Sequence, residues 1–210
     1  YSKARSSKMN HSPIVQYPVI FTSNMLDYHH KETSSSDIKI VRTLLHEVSR
    51  QGPCLAAGDV NGDLLQDFFV GSEQGEPSYL FIQQADGSFQ KNQFPKHSTA
   101  ENGAASLFDI DNDQDLDLYV GTTCASLMQQ PELHQLYLND GNGKFSITNN
   151  RIPAIQESIS VISANDFDQD GDTDLFLGGY LVTGAYGKSP RSYLLVNENG
   201  TLVDKTTALS

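Results

Sequence analysis

Three nine-residue windows, 59–67, 109–117 and 166–174, carry acidic or amide side chains in the same register. At positions 1, 3, 5 and 9 they hold Asp59, Asn61, Asp63 and Asp67; Asp109, Asp111, Asp113 and Asp117; and Asp166, Asp168, Asp170 and Asp174. The first Asp recurs after 50 residues and again after 57, and a Gly (Gly71, Gly121, Gly178) follows the last Asp by four positions each time. A period of this size marks an array of repeated supersecondary units. Apolar runs flank every window. Downstream of each comes a second signal: Tyr79–Ile82 before Asp86-Gly87, Leu136–Leu138 before Asp140-Gly141, and Tyr193–Val196 before Asn199-Gly200. Apolar runs around Asp-Gly or Asn-Gly read as antiparallel hairpins. Each unit is therefore strand, Asp loop, strand, longer loop, strand, Gly turn, strand. Four strands in about 50 residues is the size of one propeller blade. The fold expected is all-β: a β-propeller segment of about three four-stranded antiparallel blades at 55–104, 105–161 and 162–210. Residues 1–54 form an N-terminal linker with a partial blade or a short helix.

The chain has 210 residues and a formal net charge of −12. That balance argues against a general electrostatic surface for nucleic acid. The acid is also concentrated, since 13 of the 18 Asp lie in the three windows. A solvated acidic surface would mix Asp with Glu and spread both, whereas alternate Asp asks for a cation. No run is long and apolar enough to cross a membrane as a helix. The chain begins at Tyr1, which reads as a processed chain or a piece of a longer one. Cys54 and Cys124 fall in different repeats and read as two separate small buried residues rather than a disulfide framework.

Ca²⁺ takes about six to eight oxygen ligands. A tight loop supplies them when alternate side chains turn inward. Position 7 is Leu65, Asp115 and Asp172. Leu65 has only its carbonyl to offer, so position 7 is expected to act through main chain in all three loops. Without a cation, neighbouring carboxylates repel by roughly 1 to 4 kcal/mol per pair. A helical EF-hand loop needs a bidentate Glu at position 12, but position 12 here is Val70, Val120 and Leu177. No Cys or His stands at zinc spacing, and Mg²⁺ suits all-protein oxygen cages less well. The expectation is up to three Ca²⁺ ions.

This pattern resembles the FG-GAP or VCBS repeats of integrin α-subunit propellers and of many bacterial exported proteins. The stretch from Arg50-Gln51-Gly52-Pro53-Cys54 through Gly58–Asp63 to Gln83–Phe89 is most similar to VCBS-repeat proteins that often carry an ASPIC/UnbV domain, the group related to cartilage acidic protein. The resemblance covers about residues 50–210. It implies a β-propeller, an extracellular or cell-surface location, and calcium in the hairpin loops. The sequence departs from it at loop position 6, where the family usually has Gly for a positive φ. Gly171 keeps it; Leu64 and Gln114 do not. The third loop is therefore ranked tightest, and the first, with Asn61 and no carboxylate at position 7, weakest. Closed propellers typically need four to eight blades, so further blades are expected from the parent chain or another subunit.

The rest of the sequence is less regular. Tyr1–Asn10 reads as a linker, Pro13–Phe21 as an extended strand and Thr33–Ser36 as a polar loop. Val41, Leu44, Leu45 and Val48 have helical spacing behind Asp37 as N-cap. His29-His30 would point to opposite faces of a strand, and His46, His97 and His134 are isolated. No nucleophile elbow, phosphate loop or dinucleotide fingerprint appears. Asn199-Gly200-Thr201 fits a glycosylation sequon. No catalytic residue is assigned. The function expected is a calcium-binding interaction module whose variable loops, near 72–78, 122–134 and 179–191, meet a protein or glycan partner. The alternatives are a polysaccharide lyase or hydrolase on a propeller scaffold, or a spacer for a catalytic domain elsewhere.

Overall fold

Each Asp window folds the chain back on itself and starts an antiparallel sheet from the apolar runs on either side. The structure, a computed structural model, describes residues 26–31, 52–94, 101–123, 134–182, 185 and 187–209. The expected linker, extended strand, polar loop and short helix before residue 50, together with His46, His97 and Cys124, lie outside the described residues.

Twelve strands form three four-stranded antiparallel sheets. The first holds β1 (Leu55–Gly58), β2 (Asp67–Val70), β3 (Tyr79–Gln83) and β4 (Phe89–Gln93). The second holds β5 (Glu101–Phe108), β6 (Asp117–Thr123), β7 (Gln135–Leu138) and β8 (Ser146–Ile147). The third holds β9 (Ser158–Asn165), β10 (Asp174–Leu181), β11 (Tyr193–Asn197) and β12 (Leu202–Asp204). Strands within a sheet follow chain order, and the only helical pieces among the described residues are 3₁₀ turns at Asn149–Arg151 and Thr206–Leu209. The all-β expectation is met.

The sheets stack face to face like blades. Alternation along the strands gives each sheet two apolar faces. Phe69 and Leu80 of the first sheet meet Leu118, Val120 and Tyr137 of the second in one core. Tyr119 and Leu136, pointing the other way, meet Leu175, Leu177, Tyr193 and Leu195 of the third in another. The opening strands β1, β5 and β9 lie side by side. The Gly four residues after each last Asp stands close to a neighbouring strand, of its own sheet at Gly71 and Gly178 and of the next sheet at Gly121. A Cβ on Gly71 would stand 2.3 Å from Cys54 Sγ, and one on Gly121 or Gly178 would press to 3.2 Å against Ile159 or Val161. Antiparallel pairing puts all three Asp loops at one end of the stack. The long β2–β3, β6–β7 and β10–β11 connections leave from the opposite end.

Candidate metal centre

The three loops share one backbone. Position 4 is left-handed in each (Gly62 φ 75°, Asn112 φ 60°, Gln169 φ 64°), and so is position 6 (Leu64 φ 68°, Gln114 φ 76°, Gly171 φ 99°). Left-handed residues at alternate positions wind the chain into a tight bowl. The missing glycines at position 6 therefore leave the conformation unchanged and add steric strain, which costs an L-residue about 1–2 kcal/mol.

Main-chain amides line the bowl. The position-6 amide donates to Oδ2 of the first Asp in every loop: Leu64 to Asp59 (2.7 Å), Gln114 to Asp109 (2.9 Å), Gly171 to Asp166 (3.1 Å). The position-7 amide donates to Oδ1 at position 5: Leu65 to Asp63 (2.9 Å), Asp115 to Asp113 (3.1 Å), Asp172 to Asp170 (2.9 Å). The last Asp is a staple. Asp67, Asp117 and Asp174 are all but fully buried. One oxygen of each accepts from the position-2 amide (Val60, Ile110 or Phe167, 2.8–3.0 Å). The other accepts from the residue that ends the third strand or follows it (Gln83, Asn139 or Asn197, 2.8–2.9 Å). Each carboxylate oxygen has a second lone pair left over for a cation.

Loop 2 departs from its neighbours in what its carboxylates lack. In loops 1 and 3, Oδ1 of the first Asp accepts the position-4 amide at 2.7 Å. In loop 2 Asp109 Oδ1 is buried with no hydrogen-bond donor, as are Asp111 Oδ1 and Asp115 Oδ1. Ligand oxygens of Asp109, Asp111 and Asp113 lie within 4.8 Å of one another, and so do those of Asp166, Asp168 and Asp174. Burial, then repulsion from Asp113, Asp111 and Asp109, pushes the Asp115 carboxyl up to about 6. Burial likewise takes Asp117 to about 7, against the amides of Asn139 and Ile110 and with help from Asp111 and Asp115. In loop 3, slight desolvation and the charges of Asp170, Asp174 and Asp166 raise Asp168. In loop 1, Asp59 goes the other way. Desolvation, the largest single influence, is outweighed by the amides of Leu64, Gly62, Asn61 and Asp63 together. Buried, donor-less, mutually repelling oxygens are a donor set suited to a hard divalent cation. Loops 2 and 3 could each hold a metal ion: loop 2 through its donor-less oxygens, loop 3 through the clustered carboxylates of Asp166, Asp168 and Asp174 alone. Loop 1 meets its carboxylates with its own amides, though burial and then the charges of Asp63 and Asp59 still raise Asp67.

Three residues outside the windows complete the arrangement. Asn139 and Asn197 reach back across the blade interface, where their Nδ2 donates to the carbonyls of Val60 and Ile110, both at 2.8 Å. Arg151 pairs with Asp111 Oδ2 at 3.0 Å. At position 7, Asp172 Oδ1 accepts from Asn112 Nδ2 of the neighbouring loop at 2.6 Å. The Asn pair had a readable signal, an Asn closing the third strand in two repeats. Arg151 had none, because it lies in the 3₁₀ turn between β8 and β9, outside the aligned motifs.

The histidines divide. His134 is buried, its Nδ1 accepts the Thr122 amide (2.9 Å), and burial lowers it to about 4. His29 is exposed, and His30 meets the Tyr28 hydroxyl at 3.2 Å in a short irregular segment. That segment lies on the first sheet and brings Tyr28, His30, Lys31, Glu76, Tyr79 and Lys91 around one small cleft, a convergence that the sequence did not reveal. Lys91 there donates to the Asp27 carbonyl (2.7 Å) and covers the Tyr79 ring, and Lys31 pairs with Glu76 (3.7 Å). Cys54 is a free, buried thiol pushed up to about 12 by burial.

Stacked four-stranded sheets of this topology, each opening on an Asp-rich hairpin loop, define a propeller-type repeat protein. The FG-GAP-like repeat family model matches residues 59–120 and 128–177, more than half of the chain, and the chain belongs to that family. No curated protein sequence matches it significantly.

Proposed function

We propose that the chain is a calcium-stabilised propeller module of an exported or cell-surface protein. Its work is binding rather than catalysis. The observation that carries the calcium reading is the trio of buried, donor-less oxygens on Asp109, Asp111 and Asp115. A cation there replaces mutual repulsion with attraction and ties the first two strands of the blade together. Ligands would come from Asp109, Asp111, Asp113, Asp115 and Asp117 in loop 2, from Asp166, Asp168, Asp170, Asp172 and Asp174 in loop 3, and from Asp59, Asn61, Asp63, Leu65 and Asp67 in loop 1. We rank loop 2 first and loop 3 second, reversing the order that glycine at position 6 suggests, because Gln114 reaches the required φ without it. Extracellular modules bind Ca²⁺ in the range of about 10⁻⁴ to 10⁻³ M. A protein or glycan partner would meet the long connections at the opposite end of the blades.

The test is thermal unfolding in EDTA and across a Ca²⁺ titration, with Mg²⁺ as control. The midpoint should climb with Ca²⁺ and not with Mg²⁺, since a ligand of the native state stabilises it by mass action. No response to either ion would leave the loops as plain acidic turns. The cleft beside Tyr28 keeps a carbohydrate-active enzyme as the second reading. Cleavage on a polysaccharide panel would favour it, binding without cleavage favours the module, and neither outcome favours a spacer.

A further inference from the structure

Position 4 of loop 2 behaves unlike its counterparts. In loop 1 the Gly62 amide donates to Asp59 Oδ1, with the amides of Asn61 and Asp63 on the same oxygen at 3.2 Å. In loop 3 the amides of Gln169 and Asp170 converge on Asp166 Oδ1 at 2.7 and 3.2 Å. In loop 2 no amide reaches Asp109 Oδ1, which is buried without a donor. The backbone class is not the cause, since φ at position 4 is 75°, 60° and 64° in the three loops. The side chain is what differs. Asn112 Nδ2 donates to Asp172 Oδ1, at position 7 of loop 3, at 2.6 Å. Gly62 has no side chain to reach with, and Gln169 has no following loop beside it among the described residues. The same relation one blade earlier would bring position 4 of loop 1 to Asp115, at position 7 of loop 2. That position-4 residue is Gly62, and Asp115 Oδ1 is buried with no donor. A tether from position 4 to position 7 of the next loop thus accounts for two of the donor-less oxygens. Where present it opens Asp109, and where absent it leaves Asp115 bare.

We propose that Asn112 is the positioning residue of the loop 2 site. Tethered to Asp172, it holds position 4 off Asp109, so Asp109 Oδ1 keeps its lone pairs for a cation. Released, the loop closes on Asp109 as loops 1 and 3 close on Asp59 and Asp166. A cation must then displace a charge-assisted hydrogen bond before it binds. The tether crosses from one blade to the next, so the affinity of loop 2 is set in part by a residue of loop 3. The inference rests on the calcium reading for its role. The closure itself is a matter of hydrogen bonding and is readable without metal.

The experiment follows the full chain by NMR. The Gln114 amide reports on loop 2 and the Gly171 amide on loop 3, since each donates to the first Asp of its loop. Asn112→Gly keeps the left-handed turn and removes the donor. Asp172→Ala removes the acceptor and leaves the sequence of loop 2 unaltered. In a Ca²⁺ titration each should weaken binding at Gln114 by about tenfold, the scale of one hydrogen bond to a charged group. The double variant should be no weaker than either, because both substitutions cut the same bond. Asp172→Asn keeps an acceptor and should rescue the Gln114 affinity lost in Asp172→Ala. In EDTA, hydrogen exchange of the position-112 amide, normalised to its intrinsic rate, should slow several-fold in Asn112→Gly and in Asp172→Ala, because that amide now donates to Asp109. Unchanged Gln114 affinity in both single variants, or additive losses in the double, overturns the proposal. So does exchange in EDTA that does not slow. A parent chain in which neither amide responds to Ca²⁺ overturns the calcium reading instead, and the exchange arm still decides whether Asn112 holds loop 2 open.

Discussion

Loops 1 and 2 have the same length, the same left-handed residues at positions 4 and 6, and the same stapling Asp at position 9. Of the six positions at which they differ, two change the charge. Where loop 2 has Asp111 and Asp115, loop 1 has Asn61 and Leu65. Removing two negative charges lets loop 1 close around its own amides. Asn61 Nδ2 even donates to Asp63 at 3.0 Å. Loop 2 keeps five carboxylates, and three of their buried oxygens find no donor. Loop 3 also keeps five carboxylates, yet its first Asp accepts the position-4 amide as in loop 1, so burial counts beside carboxylate number. The staple and the amides build the bowl in all three loops, and on the proposed reading surplus charge with burial creates the demand for a cation.

The sharpest way to break the comparison is to remove the first Asp of each loop. A site filled to 100 times its dissociation constant contributes about 2.7 kcal/mol, and one filled to its dissociation constant about 0.4 kcal/mol. Asp109→Ala should therefore abolish most of the calcium-dependent rise in unfolding midpoint, while Asp59→Ala leaves most of it. Equal losses from the two substitutions, measured by calorimetry at 1 to 10 mM Ca²⁺, would show that the loops are equivalent.

A smaller effect appears against pH. Asp115 and Asp117 lie at about 6 and about 7 in the folded chain, against about 3.9 for an unfolded Asp. Between those limits the folded state holds protons that the unfolded state has released, so stability without calcium falls as pH rises from about 4 to about 7. His134, lowered to about 4, works in the opposite sense over much of that window and blunts the fall. It is common to both metal states. The difference between urea midpoints in Ca²⁺ and in EDTA should therefore widen as pH rises from 4 to 7. A constant difference would mean that the acidic pair does not meet the metal.

Most of the fold was legible in the sequence because its punctuation is local. The Asp windows, the Gly turns and the apolar runs each mark a strand end, and β3, β7 and β11 fall on the runs that preceded the Gly turns. The candidate ligand types were legible, as was the reason to place loop 1 last, since Asn61 and Leu65 stand in the sequence; the features behind the order proposed for loops 2 and 3 were not. Gly171 against Leu64 and Gln114 was the natural discriminator, yet Leu64 is 90% exposed and simply accepts a positive φ. The differences that matter come from tertiary neighbours: the burial that leaves Asp109 Oδ1 without a donor, and Arg151 beside Asp111. Spacing within one repeat carries no information on either.

The strain at position 6 can be measured directly. Leu64 has no packing to lose, so Leu64→Gly should stabilise by about 1 kcal/mol, the difference in left-handed cost less the added freedom of the unfolded chain. Gly171→Ala should lose about as much. Both shifts should read the same in EDTA and in Ca²⁺ by urea midpoint. A Leu64→Gly gain seen only with Ca²⁺ would mean that the glycine acts on metal binding and that the sequence-based ranking was right after all.

Arg151 gives the smallest effect. Its guanidinium lies 3.0 Å from Asp111 Oδ2, with both side chains about a third exposed, so the pair contributes under about 1 kcal/mol. Without calcium it offsets part of the carboxylate repulsion in loop 2. With calcium it becomes a like charge beside the ion. Arg151→Ala should therefore lower stability slightly in EDTA yet tighten Ca²⁺ binding, by about threefold for roughly 0.6 kcal/mol of relieved repulsion in a largely solvated setting. Arg151→Lys, which keeps the charge, should stay near the parent. Titration calorimetry on the three proteins decides the matter. If Arg151→Ala binds calcium more weakly, Arg151 serves to hold Asp111 in place as a ligand. Its position next to loop 2 would then be part of the site.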